Sequence, residues 1–201
     1  MPVLTLPDGS TRSFSQPVSG LQLAADIGAG LARAALAVTV DGEMKDLSYL
    51  IEHDALVSIV TEPKQKAGDD PAALELLRHS TAHVMAEAIQ RVIPKAQLVY
   101  GPPLADGFYY DISFPEDRPL REGDFEAIEA EMAKIVEEDR PFTRFELDQS
   151  AGMQKLTEEG SKYKVDNGER AIASGSSTLS WYATGEPGTH WEDLCRGPHL
   201  P

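Results

Sequence analysis

Residues 61–70, TEPKQKAGDD, carry no large apolar side chain and are broken by a proline and a glycine. Such a stretch has little to contribute to a core, so the apolar residues on either side of it must be buried separately. The chain is therefore expected to form two domains, residues 1–61 and 71–201, joined by a linker at 62–70. A length of 201 residues is enough for two small cores.

The first 61 residues alternate strand patterns with turn chemistry. Residues 3–6 (VLTL) are extended in character. Pro7-Asp8-Gly9 follows, where proline presets φ and glycine accepts a positive one. Residues 11–14 can then return as the second strand of a hairpin. A short helical stretch at 21–27 is closed by Gly28 and Gly30. A strand follows at 35–40, then a second hairpin turn at Asp41-Gly42 and a last strand at 55–60. The order β-β-α-β-β predicts a miniature mixed sheet wrapped over one helix, a β-grasp (ubiquitin-like) unit.

Beyond the linker, Asp70-Pro71 is a helix start: an acceptor side chain at the cap, then a residue that needs no N–H. The helix is expected to reach Ile93 and stop at Pro94, with Leu74, Leu77, Met85, Ala88 and Val92 on its buried face. Strands are expected at 98–100 and, led by Gly107, at 108–114. Phe125, Ile128, Met132, Ile135 and Val136 mark a further amphipathic helix. Its outer face is acidic (Glu126, Glu129, Glu131, Glu137, Glu138) and reads as a solvated surface. A strand at 142–147, a short helix at 151–156 and strands at 178–182 and 191–194 complete the pattern. The stretch between these last two strands reads as loops. The fold class is thus α+β: a β-grasp domain, then helices packed on an antiparallel sheet.

Chemistry-bearing residues fall in two pairs. His79 and His83 stand four apart on the long helix, about 40° from each other around its axis and roughly 120–160° from Met85. They share a face that is not the apolar stripe. Cys195 and His199 are separated by Gly197-Pro198; because proline disfavours α geometry before it, this pair belongs to a loop or turn. Together they use three of the five histidines and the only cysteine. Two imidazoles, a thiolate and a third imidazole suit zinc, a borderline-soft ion. They equally suit a hydrolytic cleft without metal.

Bulk properties narrow the partners. One cysteine excludes an intrachain disulfide and points to a reducing compartment. The first residues show no basic, then apolar, secretory leader, and no run of 18 apolar residues occurs. The chain reads as cytoplasmic, with no membrane partner. Its 33 acidic against 18 basic residues give a formal charge of −15, which counts against a broad phosphate-binding surface and against DNA. An RNA would have to be gripped locally.

The runs RHSTAHVMAEAI, GPPLADGFYYDI, KYKV and WEDLCRGPHLP together resemble the N-terminal region of bacterial threonyl-tRNA synthetases. The opening MPVLTLPDGS is similar to the TGS module, the β-grasp domain that begins that family. The resemblance implies an editing domain that removes serine wrongly attached to threonine tRNA. Serine lacks one methyl of threonine, worth about 1–3 kcal/mol and too little for accurate translation, so a second, smaller pocket is needed. Related editing modules of alanyl-tRNA synthetase carry a similar His/His/Cys/His set and bind zinc; the resemblance leaves open a metal-free site in the threonyl branch.

Residue by residue, the resemblance implies that His79, His83, Cys195 and His199 line the site, with His79 nearest the scissile ester. Lys164 would position or activate the water, and Asp193 would hold the serine amino group or orient a histidine. Tyr110, with Gly101 and Arg196, would contact the terminal adenosine or the aminoacyl group. Taken alone, Lys164 reads as an exposed lysine and Tyr110 as an inward-packing strand residue. Local bases (Lys155, Lys162, Lys164, Arg170, Arg196) could hold a CCA end against the acidic background.

Members of that family continue past CRGPH into a class II aminoacylation core, where ATP and a further zinc belong. This sequence is accordingly expected to be their N-terminal part, with the editing domain truncated at its C-terminal end and unable to ligate. The resemblance also implies a homodimeric full-length enzyme and a monomeric piece. The competing readings are a small module with structural zinc and a plain interaction module.

Overall fold

In the computed structural model, which describes residues 1–62, 70–104 and 106–201, the chain divides into two compact units. The first comprises Met1–Leu77 with Gly197–Pro201, the second Arg78–Arg196. Of the expected linker, residues 63–69 lie outside the described residues.

The first unit is built on a five-stranded sheet in the order β2-β1-β7-β4-β5: β1 Val3–Thr5, β2 Thr11–Ser13, β4 Ala35–Val40, β5 Glu43–Asp46 and β7 Ala55–Thr61. Strands β1 and β7 run parallel and the other neighbours antiparallel, as a β-grasp unit requires. A small extra pair joins β3 Val18–Ser19 to β6 Leu50–Ile51. The first hairpin closes as its residues dictate. Gly9 takes φ 82°, and the Asp8 carboxylate accepts from both the backbone and the hydroxyl of Ser10. At the second, Asp41 and Gly42 both adopt positive φ (50° and 88°), the backbone of a tight hairpin between twisted strands.

Helix α1, Gly20–Ile27, starts in a capping box: Ser19 accepts from the Gln22 N–H, and the Gln22 side chain accepts from that of Ser19. It sets Leu23 against Leu4, Val18, Val38 and Ile51. Gly28 ends α1, but Gly30, expected to close the same helix, lies inside a second one, α2 Ala29–Ala34. Gly-Ala-Gly reads as a stop, and the alanines that follow outweigh it.

Helix α3 spans Pro71–Val92, and Asp70 caps it by accepting from the N–H groups of Ala72 and Ala73. The boundary between the units falls inside α3, because its first turns belong to the first core: Ala73 and Leu76 pack with Ala37 and Val60. Later, Met85, Ala88, Ile89 and Val92 pack with Ile128, Met132 and Ile135 of helix α4, Phe125–Glu137. The expected apolar stripe is corrected at Leu77, which is 43% exposed. The buried line runs instead through Ala73, Leu76, Ser80, His83 and Glu87, and so includes polar groups. On α4, Phe125 and Val136 also turn out exposed, and only the three residues named above face inward. Two of its outer carboxylates are occupied, since Arg91 meets Glu131 at 3.5 Å and Glu138 at 2.9 Å.

The second unit's main sheet is antiparallel, β12-β13-β14, from Phe142–Asp148, Thr178–Thr184 and Glu192–Leu194. Helix α5, Gln149–Glu158, starts on the Asp148 cap. Residues Lys162–Ala173, for which the sequence pattern gave no element, form α6, started by Ser161 accepting from the Lys164 N–H. Leu156 of α5 packs with Leu179 and Trp181 of β13 and with Val165 and Ile172 of α6. The helices thus cover one face of the sheet.

Two short antiparallel pairs lie apart from that sheet. One joins β8 Gln97–Tyr100 to β11 Asp111–Ser113; the other joins β9 Pro103–Leu104 to β10 Gly107–Phe108. The single strand expected at 108–114 is therefore two pieces, with Tyr109 and Tyr110 between them and a register shift at Asp111/Ile112. That interruption frees Tyr110 from strand geometry. No helix among the described residues is long and apolar enough to cross a membrane.

Leu156, fully buried, anchors the packing of α5 and α6 on the sheet. Leu156→Ala is expected to cost about 2–5 kcal/mol. Urea unfolding followed by circular dichroism should show a lower midpoint with an unchanged slope.

Candidate active site

Two residues of α3 begin the site. His79 and His83 meet edge to face, with ring centroids 5.4 Å apart. The partner they were expected to have is present: Cys195 Sγ lies 3.1 Å from His79 Nε2. One potential ligand atom from each of His79, His83 and Cys195 falls within 4.8 Å of the others. Cys195 reaches this position by extending β14: its N–H donates to the Ser180 carbonyl, and its own carbonyl accepts from the Ser180 hydroxyl. His199 is buried and belongs to the first unit, where its N–H donates to the Asp46 carboxylate at 3.0 Å.

Beside the histidines sits a triangle of polar groups from three distant parts of the chain. Lys164 Nζ lies 2.6 Å from Asp193 Oδ1. The Tyr110 hydroxyl donates to the other oxygen, Oδ2, at 2.5 Å. Lys164 also donates to the Tyr110 hydroxyl at 3.3 Å. Both Lys164 and Asp193 are only 5% exposed, so Lys164 is not the surface lysine its isolated sequence position suggested. Removal from water makes such a pair depend on its geometry, because each charge has lost its hydration and keeps only its partner.

Local structure explains the triangle. Ser161 fixes the first turn of α6, which puts Lys164 on the same face as Gly168, against Leu156 and Met153. Asn167 ties α6 to β8 by donating to the Val99 carbonyl at 2.7 Å. Gly101 makes room for the phenol: a Cβ there would stand 2.6 Å from Tyr110 Cγ and 2.7 Å from the Tyr109 carbonyl oxygen. Any side chain at position 101 would displace the ring.

His83 lies in the same environment. Its Nε2 is 3.9 Å from Asp193 Oδ2, and its ring contacts Trp191 and Phe142 edge to face at 5.5 and 6.2 Å. Burial lowers its pKa to about 3, a drop that the Asp193 carboxylate opposes and that His79 and Lys164 reinforce. His83 is thus a neutral imidazole at physiological pH, and its approach to Asp193 is not an ion pair. Burial, with Asp193 as a second cause, holds the Tyr110 phenol well above its ordinary value, so it remains a donor.

Sequence reasoning passed over the group that pins α3 here. Glu87, one turn beyond His83 and 2% exposed, accepts from Arg91 at 2.7 Å, Arg140 at 2.8 Å and the Thr184 hydroxyl at 2.5 Å. A glutamate falling on the inner line of a helix was the available signal. The sequence pattern at Trp191 implies only a strand residue, yet its indole donates to Gln90 at 2.6 Å while its ring packs on His83.

His79, His83, Gly101, Tyr110, Lys164, Asp193, Cys195 and Arg196 all line one cleft of about 800 Å³ within the second unit. Its charged lining comprises Arg144, Lys164, Arg170 and Arg196 against Glu146 and Asp193. In a chain of net charge −15 this is a local excess of positive charge. Lys155 and Lys162 line a separate cleft of about 810 Å³, which also touches the Lys164–Asp193 pair.

Residues 1–61 match the family model described as the TGS domain. Over its full length the chain is similar to the N-terminal part of bacterial threonine–tRNA ligases. It is 48% identical over 203 residues to that of Paramagnetospirillum magneticum, 47% over 201 to that of Acidithiobacillus ferrooxidans and 44% over 203 to that of Hahella chejuensis. Each comparison covers the whole of this chain and 29–30% of the relative, so the chain spans about three tenths of the length of the curated relatives it matches.

Two outcomes follow from the geometry. His83 takes up its proton near pH 6.5 when unfolded but only near 3 when folded. The unfolded state therefore binds more protons between those values, and stability falls as pH drops from about 6.5 towards 3. Melting curves across that range should show the decline, and His83→Gln should make it shallower. Separately, Gly101→Ala is expected to cost about 1–3 kcal/mol through overpacking. The cost should shrink in a Tyr110→Ala background, a coupling that a double-mutant cycle measures.

Proposed function

We propose that the second unit is an editing hydrolase: it cleaves the ester that joins serine to the 3′ end of threonine tRNA, within a threonine–tRNA ligase acting in translation in the cytoplasm. The observation that carries this reading is the meeting, in one cleft, of the His79–His83–Cys195 group with the Lys164–Asp193–Tyr110 triangle. A hydrolase needs a proton acceptor, a held water and a positive or donor group facing the carbonyl oxygen. The cleft contains residues suited to each of these tasks.

In this mechanism a water attacks the seryl carbonyl carbon and its proton passes to His79. The C–O bond to the ribose then breaks, and the ribose oxygen leaves with the proton that His79 gives back. Asp193 already engages Lys164 and Tyr110, one through each oxygen, so its role is to fix both donors. An ammonium has three N–H groups. Lys164 directs one to Asp193 and one to Tyr110, leaving the third for the water or the ester carbonyl. Neutral His83 can accept a hydrogen bond from the same water without the penalty of charging a buried ring. Gly101 seats Tyr110, and Arg196 contacts the nucleotide. The reading requires that the extra methyl of a threonyl ester be excluded from the subsite that holds serine.

The three donors His79, His83 and Cys195 also fit a zinc ion in softness and mutual spacing. When bound, zinc would supply an acidified water, and these residues would hold it. A second reading, structural zinc without catalysis, draws on the same donors. It requires that the melting temperature collapse on chelation.

The test uses this chain, alone and joined to the remainder of a threonine–tRNA ligase, with seryl and threonyl esters of threonine tRNA. Serine should be released and threonine retained. Lys164→Ala and His79→Ala should each slow serine release by about 10²–10⁴-fold with the fold intact. Serine loss no faster than in buffer, for the joined protein, refutes the reading.

A further inference from the structure

We infer that Arg170 is the cleft's phosphate-binding residue, holding the phosphodiester on the 5′ side of the terminal nucleoside. The inference rests on the proposed function and adds a part of the substrate that the reacting residues do not address.

Helix α6 contributes Lys164, Asn167 and Arg170 to the cleft lining, spaced three residues apart along its axis, and its C-cap Ser174 lies there too. Lys164, at the start of that row, belongs to the reacting end. Arg170 stands six residues further along, about 9 Å at the rise of an α-helix. That advance is comparable with the span from an ester on a ribose 3′ oxygen to the phosphorus on the 5′ oxygen of the same nucleoside. With the ester held at Lys164, the nucleoside lies along α6 and its phosphate comes to Arg170.

Charge pairing leaves two unmatched arginines on the cleft among the described residues, Arg170 and Arg196, and of these only Arg170 stands on α6. Lys164 is matched by Asp193, and Arg144 by Glu146 at 2.6 Å. Arg170 is exposed to the cleft and pairs with no acidic side chain among the described residues. A guanidinium presents donors in a planar fork suited to two phosphate oxygens. The Asn167 bond to Val99 keeps α6 fixed against β8, so Arg170 is carried on an anchored element.

The probe is the hydrolysis-resistant seryl amide of 3′-amino-3′-deoxyadenosine, with and without a 5′-phosphate, titrated calorimetrically into the unaltered chain, Arg170→Ala and Arg170→Lys. For the unaltered chain the phosphate should improve Kd by about tenfold. That gain should shrink with added salt. Arg170→Ala should erase it while leaving the bare nucleoside's affinity unchanged, and Arg170→Lys should retain part of it. Because Arg170 is exposed, the variants should melt like the parent. If the phosphate still improves binding to Arg170→Ala, or never improves binding to the parent, the assignment to Arg170 is wrong and the editing reading stands. If the parent binds neither probe, both fall.

Discussion

A single buried carboxylate organises this site. Asp193 has left water almost entirely, and its two oxygens are claimed by an ammonium and a phenol. A carboxylate so placed is tolerable only if its partners are held in position. Much of the second unit does that holding. The α6 cap sets Lys164, the missing Cβ at Gly101 admits the Tyr110 ring, and the pairing of β13 with β14 presents Asp193 opposite Tyr182. The break between β10 and β11 belongs to the same logic, since a residue in a continuous strand would have its direction set by the pleat.

The electrostatic paradox of an acidic chain with a proposed nucleic-acid ligand resolves by location. Much of the negative charge is spent on exposed helix faces or on pairs such as Arg91 with Glu138, while the cleft carries more cations than carboxylates. Over distances beyond about 8–10 Å such charges are largely screened, so the local balance decides what enters. A whole-chain charge is a poor guide to a site of this size.

Much of the fold was legible in the sequence because its signals are local. Asp8-Gly9 and Asp41-Gly42 need only their own backbone angles, and Asp70-Pro71 starts a helix wherever it stands. The pairing of His79 with Cys195 was legible because both residue types are scarce and chemically suited to each other. Helix α6 was not, since a glycine, an asparagine and several charges mask its pattern. Ser161 followed by Val165 and Ile172, four and eleven residues on, was the available trace. The burial of Lys164 could not be read at all without Asp193, which lies 29 positions away and pays for it. On α3 the apolar stripe was a sound guide where it met α4. It failed at Leu77, because polar side chains with partners occupy the inner line.

That inner line has a consequence for how the sequence can vary. Ser80, His83 and Glu87 are kept in phase by the helical repeat, each roughly one turn from the next. Replacing one of them disturbs only that side chain's own contacts. Adding or removing one residue within the segment turns everything beyond it by about 100°, which would carry Glu87 away from Arg140 and Thr184 whichever side chains were chosen. The spacing itself is thus under constraint, and descent with modification along this helix should proceed by exchange of letters at constant length.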